Sequence, residues 1–422
     1  MQAIILAAGE SSRFWPLNKV HKSQISFFGK PLIYWTIRSL SDKGIKDIII
    51  VVNASSFLSK DFSSVAQELG ITLSFVVQDK PLGAAEAIYR AKDIIKGPFF
   101  VVWPYKINVG EIVEKIMEKQ KDGEFQPALV CNSTANPENF GILKYEGEKV
   151  TEICRNSKKG EEPSNIKISG TYFLNLDFFN YYQSLSKHHP EDFIDVLNLY
   201  LKDREIIFLL WKENLPSLKY PWDLLSFSKA MFSSNNFNNS ISASAVIGKN
   251  VVIGEKVYIG ENVIIGDNTV ISDSCFIGDN CKIGSNNVLR GPIVLEKGVI
   301  VGVFTEIKNC IIQEGTHFHS GYFGDSVIGK NCRFGAGFTV ANRRIDRGNI
   351  KSIVKDKKID TGLTSFGMIV GDDSKFGIQA GTMPGVLIGS DCLVGPGTLV
   401  FENLEDKTTF YTEFKNHKEI NK

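Results

Sequence analysis

Twelve aliphatic side chains recur at every sixth residue from Ile241 to Ile307, among them Ile247, Ile253, Ile259, Ile265, Ile271, Ile277 and Ile283. Neither a helix, with a period of about 3.6, nor a half-buried strand, with a period of about 2, produces that spacing. Six-residue repeats belong to parallel β-helices. In the left-handed form three hexads close one triangular coil, so each aliphatic side chain stacks on the one eighteen residues later. Glycine follows Ile247, Ile253, Ile259, Ile265, Ile277, Ile283 and Val301, where it reads as tolerating a corner that a Cβ would obstruct. The beat lapses at Gln313, resumes three residues out of phase at Tyr322, Ile328, Phe334 and Val340, and returns at Val370, Phe376, Ile388 and Val394.

A different grammar precedes the repeat. Ala3–Leu6, Asp47–Val52, Thr72–Val77 and Pro98–Val102 read as short buried strands, alternating with helices around Leu32–Ser41, Lys60–Leu69 and Ala84–Ile95. That alternation predicts a three-layer α/β, Rossmann-like domain with mostly parallel strands. The polar run 233–240 reads as a linker after a last helix, Trp222–Phe232. The expected plan is an α/β domain over 1–232, a linker over 233–240, a left-handed β-helix over 241–403 and a charged tail over 404–422 that caps or frays.

At 422 residues the chain is long enough for two or three domains. A net charge of +1 argues against nucleic acid or a membrane surface as partner and toward small-molecule chemistry. The seven cysteines are odd in number and lack Cys-x-x-Cys spacing, so they read as reduced thiols in a cytoplasm. No apolar run reaches membrane length, and Met1–Leu6 leads into a glycine-containing turn rather than a cleavage site.

Strand Ala3–Leu6 runs into Ala7-Ala8-Gly9-Glu10-Ser11-Ser12-Arg13, then Pro16-Leu17 and Lys22. A strand-to-loop turn of small residues lets backbone N–H groups approach phosphate oxygens, and Arg13 and Lys22 add charge-assisted contacts to a polyphosphate. A surface turn with two solvated cations is the other reading of the same residues. The wider pattern resembles the sugar-1-phosphate nucleotidyltransferase family. It consists of that loop, Gly29-Lys30-Pro31-Leu32-Ile33, Gln78-Asp79-Lys80-Pro81-Leu82-Gly83, Phe140-Gly141-Ile142 and Ser169-Gly170-Thr171-Tyr172-Phe173. The resemblance implies attack of a sugar 1-phosphate on the α-phosphate of a nucleoside triphosphate, with release of pyrophosphate. It further implies Gly9, Gln78 and Gly83 around the base, Arg13 and Lys22 on the phosphates, and Gly141 and Gly170 lining the sugar pocket.

The departures from that family concern its metal. Its Gly-Asp after the central strand, whose carboxylate binds Mg²⁺, is replaced by Trp103-Pro104-Tyr105-Lys106, with Tyr105 in the aspartate's place. Its second metal aspartate usually precedes a stretch like Pro221-Trp222-Asp223-Leu224-Leu225, but here 215–220 contains no acid. Arg155-Asn156-Ser157 stands where the family has Glu-Lys-Pro. Mg²⁺ takes hard oxygen ligands, usually one or two of them protein carboxylates. No metal ligand is therefore assigned, and sugar-nucleotide or sugar-phosphate binding is favoured for this domain over metal-dependent transfer and over a purely structural remnant.

In the repeat, Glu306 and Lys308 flank the inward Ile307 and so share an outer face. Arg290 lies one eighteen-residue coil before Lys308, so the two cations should stack as a phosphate clamp or stand as two solvated charges. His319 and Tyr322 fall in the out-of-phase stretch. A lone histidine is ordinarily structural or solvated, but beside a carboxylate and two cations His319 reads as a general base.

Val301-Gly302-Val303-Phe304-Thr305-Glu306-Ile307-Lys308-Asn309, His319-x-x-Tyr322-x-Gly324-Asp325 and Gly335-Ala336-Gly337-x-x-x-Ala341-Asn342 carry a second resemblance. They look like the acetyltransferase half of the bifunctional N-acetylglucosamine-1-phosphate uridyltransferase family, and the insertion 355–371 looks like its archaeal-type branch. The resemblance implies that Arg290, Lys308 and Tyr322 hold the phosphate of glucosamine 1-phosphate. His319, oriented by Glu306, would take the amine proton as the amine attacks acetyl-CoA. Asn342 would position the amine, and the Ala336 N–H would donate to the thioester oxygen. A homotrimer with sites between neighbours is implied as well. Arg333, where the family has Asn, would add charge beside the phosphate, while Arg343, Arg344, Arg347 and Lys351 form a loop facing either coenzyme phosphates or solvent.

Three functions stay open at this level: an acetyl-CoA-dependent N-acetyltransferase on a hexosamine 1-phosphate, a sugar-1-phosphate nucleotidyltransferase alone or bifunctional, and a non-catalytic sugar-nucleotide-binding scaffold. A zinc hydrolase on this scaffold needs three histidines, and the repeat holds only His317 and His319, two residues apart.

Overall fold

The structure, a computed structural model, describes residues 1–53, 62–120, 124–134, 137–147, 149–155, 160–212, 217–233 and 237–419. Asn156, Ser157, Leu215, Pro216 and part of the expected linker (234–236) lie outside the described residues. Contacts divide the chain into two compact units. One comprises Met1–Glu10, Val20–Ile25 and Pro31–Leu215, the other Ser11–Lys19, Ser26–Lys30 and Pro216–Lys422.

The first unit is built on a nine-stranded sheet. Its strands are β1 (Gln2–Ala7), β2 (Asp47–Val52), β3 (Thr72–Val77), β4 (Phe99–Val102), β5 (Ala128–Ser133), β6 (Ile142–Glu146), β7 (Lys149–Cys154), β8 (Ile166–Leu174) and β9 (Ile207–Leu210). Their spatial order is β3-β2-β1-β4-β8-β5-β9-β7-β6. β1 pairs parallel with β2 and β4, and β2 with β3, as the alternation predicts. The rest corrects "mostly parallel" to mixed: β9 pairs parallel with β5, but β8 runs antiparallel to β4 and β5, β9 to β7, and β6 to β7. Only two residues separate β6 from β7, too few for the crossover that a parallel pair needs.

Alternating side chains sort to opposite faces. Ala3, Ile5, Ile48 and Ile50 pack with helices α1 (Leu32–Asp42), α2 (Phe62–Leu69) and, further along, Val109–Glu118. Ile4, Leu6, Ile49 and Val51 face Ala84–Tyr89, Phe178–Ser184 and Phe193–Asp203. The central strands are apolar on both faces because both are covered. β2 and β3 lie on one side of β1 and β4 on the other, so the crevice beyond the carboxyl ends of β1 and β4 is where such a sheet accepts a ligand.

The second unit is the left-handed parallel β-helix. Ile241 pairs with Ile259, Ile247 with Ile265, Ile253 with Ile271 and Leu289 with Ile307, each eighteen residues on. The inward column then runs Ile307, Ile312, Phe318, Phe323, Ile328, in steps of five, six, five and five residues. Three short steps account for the phase shift. They also correct its detail: Phe323 is the buried residue, while Tyr322 faces outward beside Glu306 and Thr339. After Val340 the chain leaves the coil, forms a hairpin from Lys351–Val354 and Lys357–Asp360, and returns so that Ile328 pairs with Val370. Thr409–Phe410 still stacks on Leu393–Val394, past the expected end of the helix at 403.

The repeat glycines do a different job from the one expected. Left-handed corners are filled by Asn250, Asn262, Asn268, Asn280 and Asn286, whose amides ladder from coil to coil, as from Asn250 to Asn268 at 3.1 Å. A Cβ on Gly248 would instead come within 2.7 Å of the Asp267 backbone nitrogen on the next coil. Close approach, rather than the corner, selects glycine there.

One outer face is also apolar. Val294, Ile311, Val327, Ile369 and Leu387 stack in register and are fully buried. The helix Leu224–Ser233 packs on this side, and Phe28 joins Phe232, Phe237 and Phe276 in an aromatic cluster. Burial of that face draws Ser26–Lys30 and the 217–233 segment into the second unit, ahead of the boundary expected at 232.

Candidate functional site

On the β-helix, Arg290 and Lys308 stand in register on successive coils. Each has an acid. Arg290 Nη2 lies 2.6 Å from Glu306 Oε1, and Lys308 Nζ lies 3.1 Å from Asp325 Oδ2. Asp325, only 3% exposed, also accepts from Asn309 Nδ2 at 2.7 Å and Asn342 Nδ2 at 2.5 Å. Asn342 Nδ2 reaches Tyr322 Oη at 3.1 Å as well. Burial, and then the charge of Asp325, push the Tyr322 phenol above its ordinary pKa.

Sequence reasoning gave Asp325 no role. Its signal was Gly324-Asp325 inside the phase break, where a Cβ on Gly324 would sit 2.6 Å from Asn342 Nδ2 and from Tyr322 Oη. The glycine leaves room for the polar cluster that Asp325 organises.

His319 is exposed at the corner that leads into the strand Gly321–Gly324. Its backbone nitrogen donates to Phe334 O at 2.9 Å, while its imidazole makes no hydrogen bond or ion pair among the described residues. Glu306, expected to orient it, pairs instead with Arg290. The coil stack sets that guanidinium on the strand directly beneath, and opposite charges close the gap. Gly335–Gly337 turns the same corner one coil on, where Gly337 N donates to Ser320 Oγ at 3.1 Å, so Ala336 stands above the His319 corner. Arg333 is not beside the cation pair. It stacks on His317 in a separate column, 3.5 Å from its Nδ1, and burial with that nearby guanidinium lowers the His317 pKa. In the basic loop Arg344 pairs with Asp346, and Arg343 Nε donates to Ser365 Oγ at 2.9 Å.

In the first unit the expected nucleotide residues are scattered in role. Gly9 is exposed, with open space where a Cβ would be. Lys22 lies with its Nζ 4.9 Å from the Tyr105 ring centroid. Arg13 is exposed and is grouped with the second unit. Gln78 is buried and its Nε2 donates to Gly83 O at 2.9 Å and Glu86 Oε2 at 2.6 Å. Gly83, at φ 104°, is held against the Pro190 carbonyl. Both expected sugar-pocket glycines pack against protein: Gly141 against Ile194 and Ile168, Gly170 against the Trp103 ring.

Beyond the carboxyl end of β4 come Trp103, Pro104, Tyr105 and Lys106, with Lys167 of β8 close by. Lys106 is 6% exposed, and burial followed by repulsion from Lys167 brings its pKa down to about 7. Two ammonium groups and aromatic rings are not a donor set for a divalent cation, and no cluster of three His, Cys, Asp or Glu occurs among the described residues. The described residues at this end of the sheet do not fit Mg²⁺.

Comparison with known proteins covers both units. The nucleotidyl transferase family matches residues 2–212, the bacterial transferase hexapeptide family residues 244–275, and the hexapeptide repeat of succinyl-transferase residues 276–303 and 367–402. The bifunctional protein GlmU of Methanococcus maripaludis is 32% identical over 419 residues, 97% of each chain. The protein of that name from Methanocaldococcus jannaschii is 31% identical over 416 residues, again 97% of each. The bifunctional sugar-1-phosphate nucleotidylyltransferase/acetyltransferase of Sulfurisphaera tokodaii is 30% identical over 410 residues, 95% of this chain and 97% of that one.

Proposed function

The chain belongs to the family of bifunctional transferases that join a nucleotidyltransferase domain to a hexapeptide-repeat acetyltransferase domain, and on that premise we propose that its β-helix acetylates the amine of a hexosamine 1-phosphate, glucosamine 1-phosphate first, from acetyl-CoA. One observation carries the reading. Arg290 and Lys308 are stacked and charge-balanced at one end of an outer face whose other end is turned by His319. The four-residue strand between them spans on the order of 10 Å. That is room for a sugar between a held phosphate and a reacting amine.

The phosphate dianion sits on Arg290 and Lys308, whose carboxylate partners hold both cations in place. At the other end the amine nitrogen bonds to the thioester carbon while His319 takes the proton it sheds. The Ala336 N–H donates to the developing oxyanion, the C–S bond breaks, and the coenzyme thiolate leaves with the proton from His319. Assembly as a homotrimer would let a neighbour meet the exposed imidazole and complete the coenzyme site. Seven free thiols suit a reducing cytoplasm, and no described helix is long and apolar enough to cross a membrane.

For the first unit the reading is binding of a sugar phosphate or nucleotide sugar rather than Mg²⁺-dependent transfer, because Tyr105 stands in the place of the metal aspartate and the buried Lys106 follows it. Coenzyme release from acetyl-CoA, followed with glucosamine 1-phosphate and related amino sugars, tests the main reading. Turnover lost in His319→Ala supports it; no turnover with any amino-sugar phosphate sinks it. Mg²⁺-stimulated pyrophosphate release from a nucleoside triphosphate and a sugar 1-phosphate would overturn the reading of the first unit.

A further inference from the structure

Lys106 lies four residues after Val102, the last residue of β4, and Lys167 lies within β8 four residues before Thr171, the partner of Val102. Because β8 runs antiparallel to β4, both stand past the carboxyl end of β4, the end at which such a sheet accepts a ligand. Among the described residues no side chain or carbonyl accepts a hydrogen bond from Lys106 Nζ and no carboxylate pairs with it, although the residue is 6% exposed. Its resolved electrostatic neighbour is another cation, Lys167. Among the described residues Lys167 has no acid either; its Nζ lies 4.2 Å from the Phe140 ring centroid. Burying an ammonium without an anion is costly, and placing a second beside it raises the cost. A ligand anion would relieve both.

The surroundings describe that ligand further. The Trp103 ring lies against Gly170, and Lys22 Nζ lies 4.9 Å from the Tyr105 ring centroid. Aromatic walls with a few convergent cations suit a ring-bearing anion better than a bare ion. We propose that this end of the sheet binds the phosphate of a phosphorylated hexose through Lys106 and Lys167, the two ammonium groups neutralising it where a divalent cation would otherwise do so. The proposal rests on the reading of the first unit as a sugar-phosphate or nucleotide-sugar binder.

Calorimetric titration of the full chain carrying Lys308→Ala, which silences the cation pair on the β-helix, isolates the first unit. Glucose 1-phosphate and UDP-glucose are titrated separately in EDTA, so that a sugar phosphate and a nucleotide sugar can be told apart. We expect binding of at least one without metal, weakened tenfold or more by Lys106→Met and by Lys167→Met and largely kept by Lys106→Arg. Lys106→Met should keep or raise the thermal midpoint, since it removes a buried charge; should it fail to fold, the half-buried Lys167→Met carries the test. Binding that requires Mg²⁺, or that ignores both methionine variants, overturns the role of the lysines and leaves the binding reading standing. No binding of either probe, with or without Mg²⁺, removes both.

Discussion

The two phosphate sites proposed for this molecule each rest on a pair of cations, and the pairs are held in opposite ways. On the β-helix, Arg290 and Lys308 each have a carboxylate, Glu306 and Asp325, and Asp325 is tied in turn to Asn309 and Asn342. In the first unit Lys106 and Lys167 have each other, with a phenylalanine ring beside the second. A paired cation is charged and aimed before its ligand arrives, and the ligand must compete for it. An unpaired buried cation gains its counter-ion only on binding. The first arrangement suits substrate that comes and goes; the second suits an anion that is retained.

Buried titratable groups repeat the contrast. Glu296 of the second unit accepts from Ser26 Oγ at 2.7 Å and Gly29 N at 3.1 Å, but its other oxygen is buried without a partner among the described residues. Burial raises its pKa from 4.5 to about 7, while burial lowers that of Lys106 to about 7. The folded second unit thus holds a proton that the unfolded chain gives up between pH 4.5 and 7, so its stability falls as pH rises through that window. The folded first unit lacks a proton that the unfolded chain keeps between pH 7 and 10.5, so its stability climbs there.

The sharpest break in the comparison would come from His319→Ala. It should lower kcat for acetyl transfer by about 10²–10⁴-fold with the sugar-phosphate KM near that of the parent. A KM effect with kcat intact would mean that the imidazole belongs with the phosphate clamp. Next in size, Glu296→Gln should abolish a pH-dependent loss on the order of 3 kcal/mol in the second unit. Hydrogen exchange corrected for intrinsic rates, read unit by unit from pH 5 to 9, would reveal the two opposite slopes; parallel slopes would refute the contrast. Asp325→Ala leaves the Asn309 and Asn342 amides without their acceptor and Lys308 without its acid. Its cost should be about 2 kcal/mol by chemical denaturation, and a neutral result would show that the paired site is not pre-organised. The smallest effect expected is for Arg290→Ala, which should raise the sugar-phosphate KM about tenfold with little change in kcat.

Much of the second unit could be read in advance because its order is local and repetitive. Ile241 to Ile307 prescribes inward columns eighteen residues apart, and the stacking of Arg290 on Lys308 follows. In the first unit the alternation of apolar strands with helices was enough to place β1 to β4. The antiparallel half escaped because pairing between distant strands leaves no period in the chain.

Periodicity therefore settled the coil, the direction in which each repeat side chain points and the existence of two folding units. Three five-residue steps decided which aromatic enters the core and which faces out, putting Phe323 inside and Tyr322 beside Glu306. Tertiary packing alone assigned Glu306 to Arg290, Asp325 to Lys308, the 217–233 segment to the β-helix face, and Lys106 to a place beside Lys167. Side-chain direction is a property of neighbouring residues. Charge pairing depends on which distant segments the completed fold brings within a few ångströms, and no local pattern encodes that distance.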